Sequence, residues 1–512
     1  MSMKSSKTEK FIFLAVLVLG AAVRLYRFGT VPAGLNQDEA FAAYESWALL
    51  TAGVDSSLHA WPVYLTAWGS GMNALETYLL LPLIALFGTK TWVIRLPQLL
   101  VSLLSIFAAW RLGRRIGTAR TGLFFALLLA VCPWHVTMSR WGLESNLAPG
   151  FLLFGLCCFL RGLEERRFLL PSALFYGLAL YAYSAIWPVM PLLLGLLVLY
   201  FRPKADRYLL GAGLILAVLA LPLVAFLAVN YGWVGEFSLG PFSVPKLVEL
   251  RAEDISLTAI PENLKTLCRV LFARSDGLVW NSPVPFGLFH PVSVPLALFG
   301  LGALVWRFAR SMRGKAKDPA AALLIQIFAG FCLCLVITVN ANRMNFLLLP
   351  LVLCAALGAD ALCSLAGRHA AKLAVGLAAA YLIFFGLFAR SYFTDYADAL
   401  RGQFTWGVQD ALETALAHEG TVYVTDAVSY SKLLLIAEID PYTFNETVEY
   451  ERYPAAYLSA RRIGRWRFCP DKRMPFDPAG IYILWGSTDP APYVGAGFTA
   501  ERHGCFIVLW RE

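Results

Sequence analysis

The sequence predicts a polytopic α-helical membrane protein with about eleven transmembrane helices, its N-terminus inside, and a small C-terminal α/β domain outside. Three observations predict it. Charged residues make up only 15% of the 512-residue chain against 58% hydrophobic ones, where soluble domains carry about a quarter charged residues. Apolar runs near span length recur from residue 11 to residue 390, and beyond residue 391 the chain turns mixed and charged. Lys and Arg fall in short clusters between the apolar runs, which is the pattern of cytoplasmic loops. The net charge of +9 is spent there, so no nucleic-acid partner is expected.

Taken in order, the basic segment KSSKTEK stays inside and span 11–27 leads out. Its sequel LYRFGT has no small-residue cleavage site, so the span is not a signal peptide. The cluster RLGRRIGTAR at 111–120 is inside again, so one net crossing separates the two. Segment 75–88 is short and contains a proline, which reads as an interfacial or re-entrant helix, and 91–110 is the second span. Residues 28–90 become a long external loop. Spans then follow at 119–134, 146–161, 171–186, 187–201 and 207–229, with a second external loop at 230–288. Spans 289–308, 320–339, 346–366 and 371–390 complete the membrane domain of residues 1–390.

In the remaining domain, 391–512, a helix-like FTWGVQDALETALAHEG alternates with β-type runs TVYVTDA, GIYILWG and CFIVLW. Most of the ten cysteines lie in apolar runs and act as small hydrophobes. Cys469 and Cys505 are a possible pair if the tail is exported, and no Cys/His spacing resembles a zinc site.

Apart from Asp360, the span interiors are almost free of charge, which counts against a transport path through the bilayer midplane. Polar residues collect at outer helix ends instead: Asp38 and Glu39; Glu76; His135, Arg140, Glu144 and Asn146; Asp276 and Asn281; and Asn340, Asn342, Arg343 and Asn345. That distribution fits chemistry at the outer surface. Each residue also has a plainer reading. Asn36 and Glu39 fit an N-x-x-E capping box for the helix AFAAYESWALL, which accounts for Glu39 without catalysis. Asp38 gains only a favourable first-turn dipole contact. Arg140 is explained by snorkelling to an interface, and His135 by an interfacial position.

The residues also carry a resemblance. LNQDEA after the first span, Phe87–Gly88 ending an apolar helix and Arg95–Leu96–Pro97 opening the next span form one pattern. CPWHVTMSRWGLESN forms a second, and the NR of NANRMN a weaker third. Together they resemble bacterial GT-C superfamily glycosyltransferases similar to protein O-mannosyltransferases, the phospholipid-carrier-dependent family 39 enzymes.

The resemblance implies an inverting transferase that uses a polyprenyl-phosphate sugar on the external face of a bacterial cytoplasmic membrane. The acceptor is a cell-envelope glycan, a lipid or a protein. Asp38 then becomes the candidate base, with Glu39 and Glu144 as further acidic groups, and Arg140 and Arg343 as phosphate contacts. His135, Asn146, Tyr44, Glu76, Asp276 and Asn281 are expected toward substrate. A divalent metal, Mg or Mn, is possible on Asp38 and Glu144. Two features depart from relatives. Where relatives that modify lipid A sugars carry a Lys-Pro-Pro element, this chain has GSGMNALETY, and the β-trefoil domain of eukaryotic O-mannosyltransferases is absent. The competing readings are a transporter or flippase of lipid-linked saccharides and a non-catalytic envelope assembly protein.

Overall fold

All eleven apolar segments are helical. In chain order the first part runs α1 (Lys7–Leu25), α2 (Gln37–Thr51), α3 (Leu75–Phe87), α4 (Thr91–Ile94), α5 (Leu96–Ile116), α6 (Ala119–Val131), α7 (Pro133–Met138) and α8 (Glu144–Gly162). It continues with α9 (Leu169–Ala182), α10 (Met190–Phe201), α11 (Arg207–Asn230), a hairpin β1 (Phe237–Leu239) and β2 (Phe242–Val244), and α12 (Ile260–Ala273). The bundle closes with α13 (Ser293–Arg313), α14 (Ala321–Val336), α15 (Asn345–Leu365) and α16 (Ala370–Tyr392). The computed structural model describes residues 6–250, 256–314 and 316–511. The start of the basic segment KSSKTEK, residues 251–255 of the second loop and Lys315 lie outside the described residues.

Among the described residues, α5, α8, α11, α15 and the segment ending in α16 are long and apolar enough to cross a membrane by themselves. α15 is the central one, packed against α6, α8, α13, α14 and α16. It approaches α13 through two glycines. A Cβ on Gly300 would lie 2.0 Å from the Cys354 carbonyl oxygen, and one on Gly358 1.9 Å from that of Leu296. Only bare backbone permits that contact, as in other helix pairs packed within membranes. α11 and α16 instead present exposed apolar faces, including Leu214, Leu221, Val375 and Ile383, of the kind a bilayer would cover.

One end of the bundle is laced by ion pairs between the basic clusters and their neighbours. These are Glu9–Arg114 (3.0 Å), Arg115–Glu164 (2.7 Å), Arg166–Asp206 (2.8 Å) and Arg307–Asp318 (2.7 Å). Asp360, the charge expected within a helix, belongs to this end. It pairs with Arg120 at 2.5 Å and accepts from Thr121 Oγ1 at 2.7 Å, tying α15 to the start of α6.

The other end carries the two loops and the tail. Within the tail come α17 (Asp395–Leu400), α18 (Val408–Leu416), β3 (Val422–Thr425), α19 (Tyr430–Ile436) and α20 (Pro441–Thr447). Then follow β4 (Glu449–Tyr450), β5 (Ala460–Ile463), β6 (Trp466–Cys469), β7 (Ile481–Trp485), α21 (Ala491–Gly495), β8 (Thr499–His503) and β9 (Phe506–Trp510). The seven strands order as β4-β5-β6-β3-β7-β9-β8, with central β3 parallel to both β6 and β7 and the remaining pairs antiparallel. An α/β tail is therefore present.

The tail does not stand apart from the first loop. Phe41, Leu80 and Ile94 share one apolar core with Val424, Leu433, Ile483 and Val508. Trp68 stacks on Tyr457 with centroids 5.0 Å apart, and its carbonyl accepts from Leu458 N at 2.8 Å.

Three sequence expectations are corrected. The segment at 119–134 breaks at Cys132, and Pro133 starts the separate helix α7. The second loop contains a hairpin and an amphipathic helix, α12, neither of which was foreseen. Cys469 and Cys505 are unpaired. They sit at strands three spacings apart in the sheet, about 14 Å at the usual inter-strand distance, beyond disulfide reach.

Candidate active site

α2 starts where the sequence expects, on Asn36. Its Oδ1 accepts from Asp38 N at 2.9 Å, and Glu39 Oε2 accepts from Asn36 N at 2.8 Å, completing the capping box. Glu39 does more than cap. Arg95 Nε donates to its Oε1 at 2.7 Å, Arg95 Nη2 to its Oε2 at 3.1 Å, and Gly142 N to Oε1 at 2.7 Å. Both partners are fully buried. The other Arg95 donors reach the carbonyls of Pro32 and Gly34, each at 2.7 Å. The arginine of the RLP motif thus fixes the chain entering the carboxylate turn. Glu39, expected among the catalytic groups, has its oxygens taken by four donors and holds this joint together.

Glu76, in the first turn of α3, is buried and accepts from Gln98 Nε2 at 2.6 Å. Burial pushes its carboxyl well above the usual range against the opposing Gln98 bond, and the charges of Glu144, Glu39 and Asp38 add to the rise. Its protonated form is therefore favoured. Gly142 fits between Glu76 and Glu39. A Cβ there would stand 2.7 Å from Glu76 Oε1 and 3.1 Å from Glu39 Cγ. Glu144 opens α8, half-buried, and its Oε2 accepts from Asn73 N. Four carboxyl groups from three helices thus gather, with the charges of Glu39, Glu144 and Asp38 acting on Glu76. Asp38, in the first turn of α2, is half-buried.

The turn at 340–345 borders this cluster. Asn345 Nδ2 donates to the Ser145 carbonyl at 3.0 Å, and its Oδ1 accepts from Trp134 Nε1 at 3.0 Å. Arg343 lies in that turn, half-buried, with its N–H capped by Asn340 Oδ1 at 2.9 Å. Asp276 and Asn281 clamp the turn. Asp276 Oδ2 accepts from Asn281 Nδ2 at 2.8 Å and from Ala341 N at 2.9 Å, and Oδ1 accepts from Ser282 Oγ at 2.8 Å. These two residues, expected toward substrate, shape the loop that presents Arg343. Asn146 is buried and donates to the Met138 carbonyl at 3.2 Å.

Two other expectations meet a different setting. Both terminal amino groups of Arg140 are given to the carbonyls of Val23, Arg24, Tyr26, Arg27 and Val31, between 2.6 and 3.1 Å. Arg140 thereby closes the C-terminal end of α1, where backbone carbonyls call for a cation, and is not placed to hold a donor phosphate. His135 is buried, and its Nδ1 accepts from Arg24 Nη2 at 2.8 Å. Burial and the Arg24 charge lower its pKa well below the ordinary value, so it is neutral and braces Arg24 rather than a substrate. Tyr44 is buried too, its hydroxyl donating to the Ile439 carbonyl of the tail at 2.7 Å.

One residue missed from the sequence stands beside the cluster. Lys432 of α19 is 3% exposed, and Oγ of its neighbour Ser431 donates to the Gln37 carbonyl at 3.0 Å. Burial lowers its pKa to about 8, against the raising effect of Glu39 and Asp38. The only signal in the sequence is a lysine opening the apolar run KLLLI. As for a metal, no three His, Cys, Asp or Glu side chains among the described residues are arranged to hold one. Glu39 has no lone pair to spare for one.

Comparison with known proteins bears on the fold. Residues 77–231 match the family model described as dolichyl-phosphate-mannose-protein mannosyltransferase. No curated protein gives a significant sequence match. The fold is similar to that of ArnT from Cupriavidus metallidurans bound to undecaprenyl phosphate, with TM-score 0.55 at 14% identity over 99% of this chain and 98% of that one. ArnT in the apo state gives TM-score 0.51 at 15% identity over 98% and 97% of the two chains. Arabinofuranosyltransferase AftD from Mycobacteria gives 0.50 at 13% identity, over 99% of this chain and 42% of that one. The fold is thus similar to that of these membrane glycosyltransferases, and the family-model match falls within its helical bundle. The matched segment, residues 77–231, is similar to the protein mannosyltransferase family.

Proposed function

We propose that the chain moves a monosaccharide from a polyprenyl-phosphate carrier to an acceptor at the external face of a bacterial cytoplasmic membrane, with Asp38 as the general base. The observation that carries this reading is the gathering of Asp38, Glu39 and Glu144 about Glu76, at the bundle end opposite the basic clusters. If those clusters mark the cytoplasmic side, the carboxylates face outward, where lipid-linked rather than nucleotide-linked sugars are the available donors. The ArnT structure with undecaprenyl phosphate supports a lipid-phosphate carrier. In this reading the chain spans the membrane eleven times with the tail outside, and the acceptor is an envelope glycan, a lipid or a protein.

The acceptor hydroxyl attacks the anomeric carbon from the side opposite the phosphate. Its oxygen forms the new bond to that carbon as the carbon–oxygen bond to phosphate breaks. The hydroxyl proton passes to Asp38, and the phosphate leaves with the bonding pair, so the configuration inverts. Asp38 suits the base role because it is half-exposed and sits where a helix N-terminus favours the carboxylate. Glu39 holds the turn in register through Arg95. Burial favours the protonated form of Glu76, which lessens the negative charge of the cluster. Arg343 is the candidate cation on the phosphate from the 340–345 turn.

The test supplies purified protein with radiolabelled polyprenyl-phosphate sugars and envelope extracts, and fixes the product's anomeric configuration. Transfer with inversion is expected. A retained configuration, or no consumption of any donor, would contradict the mechanism. A reporter fused after residue 400 is expected to be external, and a cytoplasmic one would overturn the topology.

A further inference from the structure

The tail brings one cation to the carboxylate cluster, where no hydrogen bond or ion pair from the described residues engages its ammonium. Lys432 is 3% exposed, and among the described residues its ammonium has neither a hydrogen-bond acceptor nor a carboxylate at ion-pair distance. Its surroundings are built rather than loose. α19 packs on α2, Ser431 Oγ donates to the Gln37 carbonyl at 3.0 Å, and Tyr44 donates to the Ile439 carbonyl just beyond the helix at 2.7 Å. Phe41 meets the Tyr430 ring edge-on, with centroids 5.9 Å apart. These contacts set Lys432 beside the first turn of α2, where the charges of Glu39 and Asp38 act on it.

Glu39 already accepts from four donors, so it does not need Lys432. Burying an ammonium is expensive, and the charges of Glu39 and Asp38 offset that cost only in part, since the Lys432 pKa still falls; a ligand anion supplies the remaining counter-charge. Two nearby arginines are spent elsewhere, Arg95 on Glu39 and Arg140 on the end of α1. An anionic, oxygen-rich ligand group is the chemistry that completes the site, and a phosphate has both the charge and the acceptors.

We propose that Lys432 binds the phosphate of the lipid-linked donor, so that the C-terminal domain completes the active site. This rests on the carrier-dependent transfer proposed above. No bond is made to the lysine and no proton leaves it. As the anomeric carbon–oxygen bond breaks, charge grows on the phosphate oxygen and the fixed ammonium stabilises it.

The experiment measures binding of undecaprenyl phosphate and of uncharged undecaprenol to the full-length protein, with transfer kinetics alongside. The Lys432→Met variant is expected to weaken undecaprenyl phosphate binding and raise the donor KM at least tenfold, with undecaprenol binding unchanged. Lys432→Arg is expected to restore most of the loss. Equal affinity of wild-type and folded Lys432→Met protein for undecaprenyl phosphate would overturn the proposal.

A second measurement needs no variant. Undecaprenyl phosphate is expected to protect wild-type Lys432 from an amine-reactive label, and unchanged labelling in its presence overturns the proposal equally. An Asp38→Asn arm separates the two ideas, because it is expected to stop transfer while keeping undecaprenyl phosphate binding. Wild-type protein that fails to bind undecaprenyl phosphate at all would remove the donor reading, and this assignment with it.

Discussion

Glu39→Gln strips the buried Arg95 guanidinium of its counter-charge while nearly preserving side-chain shape. In the folded protein Arg95 gives Glu39 two charge-assisted bonds, at 2.7 and 3.1 Å, and neither side chain is exposed. Hydrogen bonds to charged groups contribute about 1.5–3 kcal/mol each. Breaking one side of a buried pair costs about 3–5 kcal/mol, largely as the penalty of the charge left behind.

The two estimates agree, and the loss falls on the body shared by the first loop and the tail. For a unit of that size about 2–4 °C of melting temperature follows each kcal/mol, so a shift of roughly 6–20 °C is expected. Thermal unfolding of the purified protein in detergent, followed by near-UV signal, reads it directly. Pairing the change with Arg95→Met removes the stranded charge and is expected to recover part of the loss, a coupling that a double-mutant cycle measures. A single variant melting within about 1 °C of the parent would refute the idea that this pair anchors the carboxylate turn.

Further predictions concern the neighbours. Folded Glu76 keeps its proton to higher pH than the unfolded chain does. Its contribution to stability is therefore greatest below the ordinary carboxyl range and is lost as pH rises through the folded pKa. Glu76→Gln is expected to flatten that fall above the ordinary carboxyl range in thermal melts, and an unchanged slope would contradict the raised carboxyl pKa. Gly142→Ala drives a Cβ to 2.7 Å from Glu76 Oε1, so a loss of about 1–3 kcal/mol is expected together with reduced transfer. Tyr44→Phe leaves the Ile439 carbonyl without its 2.7 Å donor. It is expected to cost about 1–3 kcal/mol, read as faster proteolysis at the loop–tail contact.

The helices were legible because a span must bury its backbone polar groups within one apolar run, which leaves a long local signal. The Asn36–Glu39 box was legible for the same reason, since cap and partner lie three residues apart. Arg95 showed only as part of a motif, because its acceptor Glu39 lies 56 residues away. His135 and Arg140 read as site residues since polar groups at outer helix ends look alike in sequence. Their engagement with Arg24 and with the α1 carbonyls depends on packing across more than 100 residues of chain. Lys432 was hidden most deeply. Its place beside Asp38 requires the tail to fold and then dock on α2, and an isolated lysine before LLLI gives no hint of either.

The central claim is that Asp38 accepts the acceptor proton at an outward-facing carboxylate cluster. Single-turnover transfer from a radiolabelled polyprenyl-phosphate sugar, compared between wild-type and Asp38→Asn protein with donor binding measured in parallel, tests it most directly. A loss of roughly 10²–10⁴-fold in rate is expected, the usual contribution of a positioned base, with donor affinity unchanged. Transfer at the wild-type rate by the Asn variant would contradict the account.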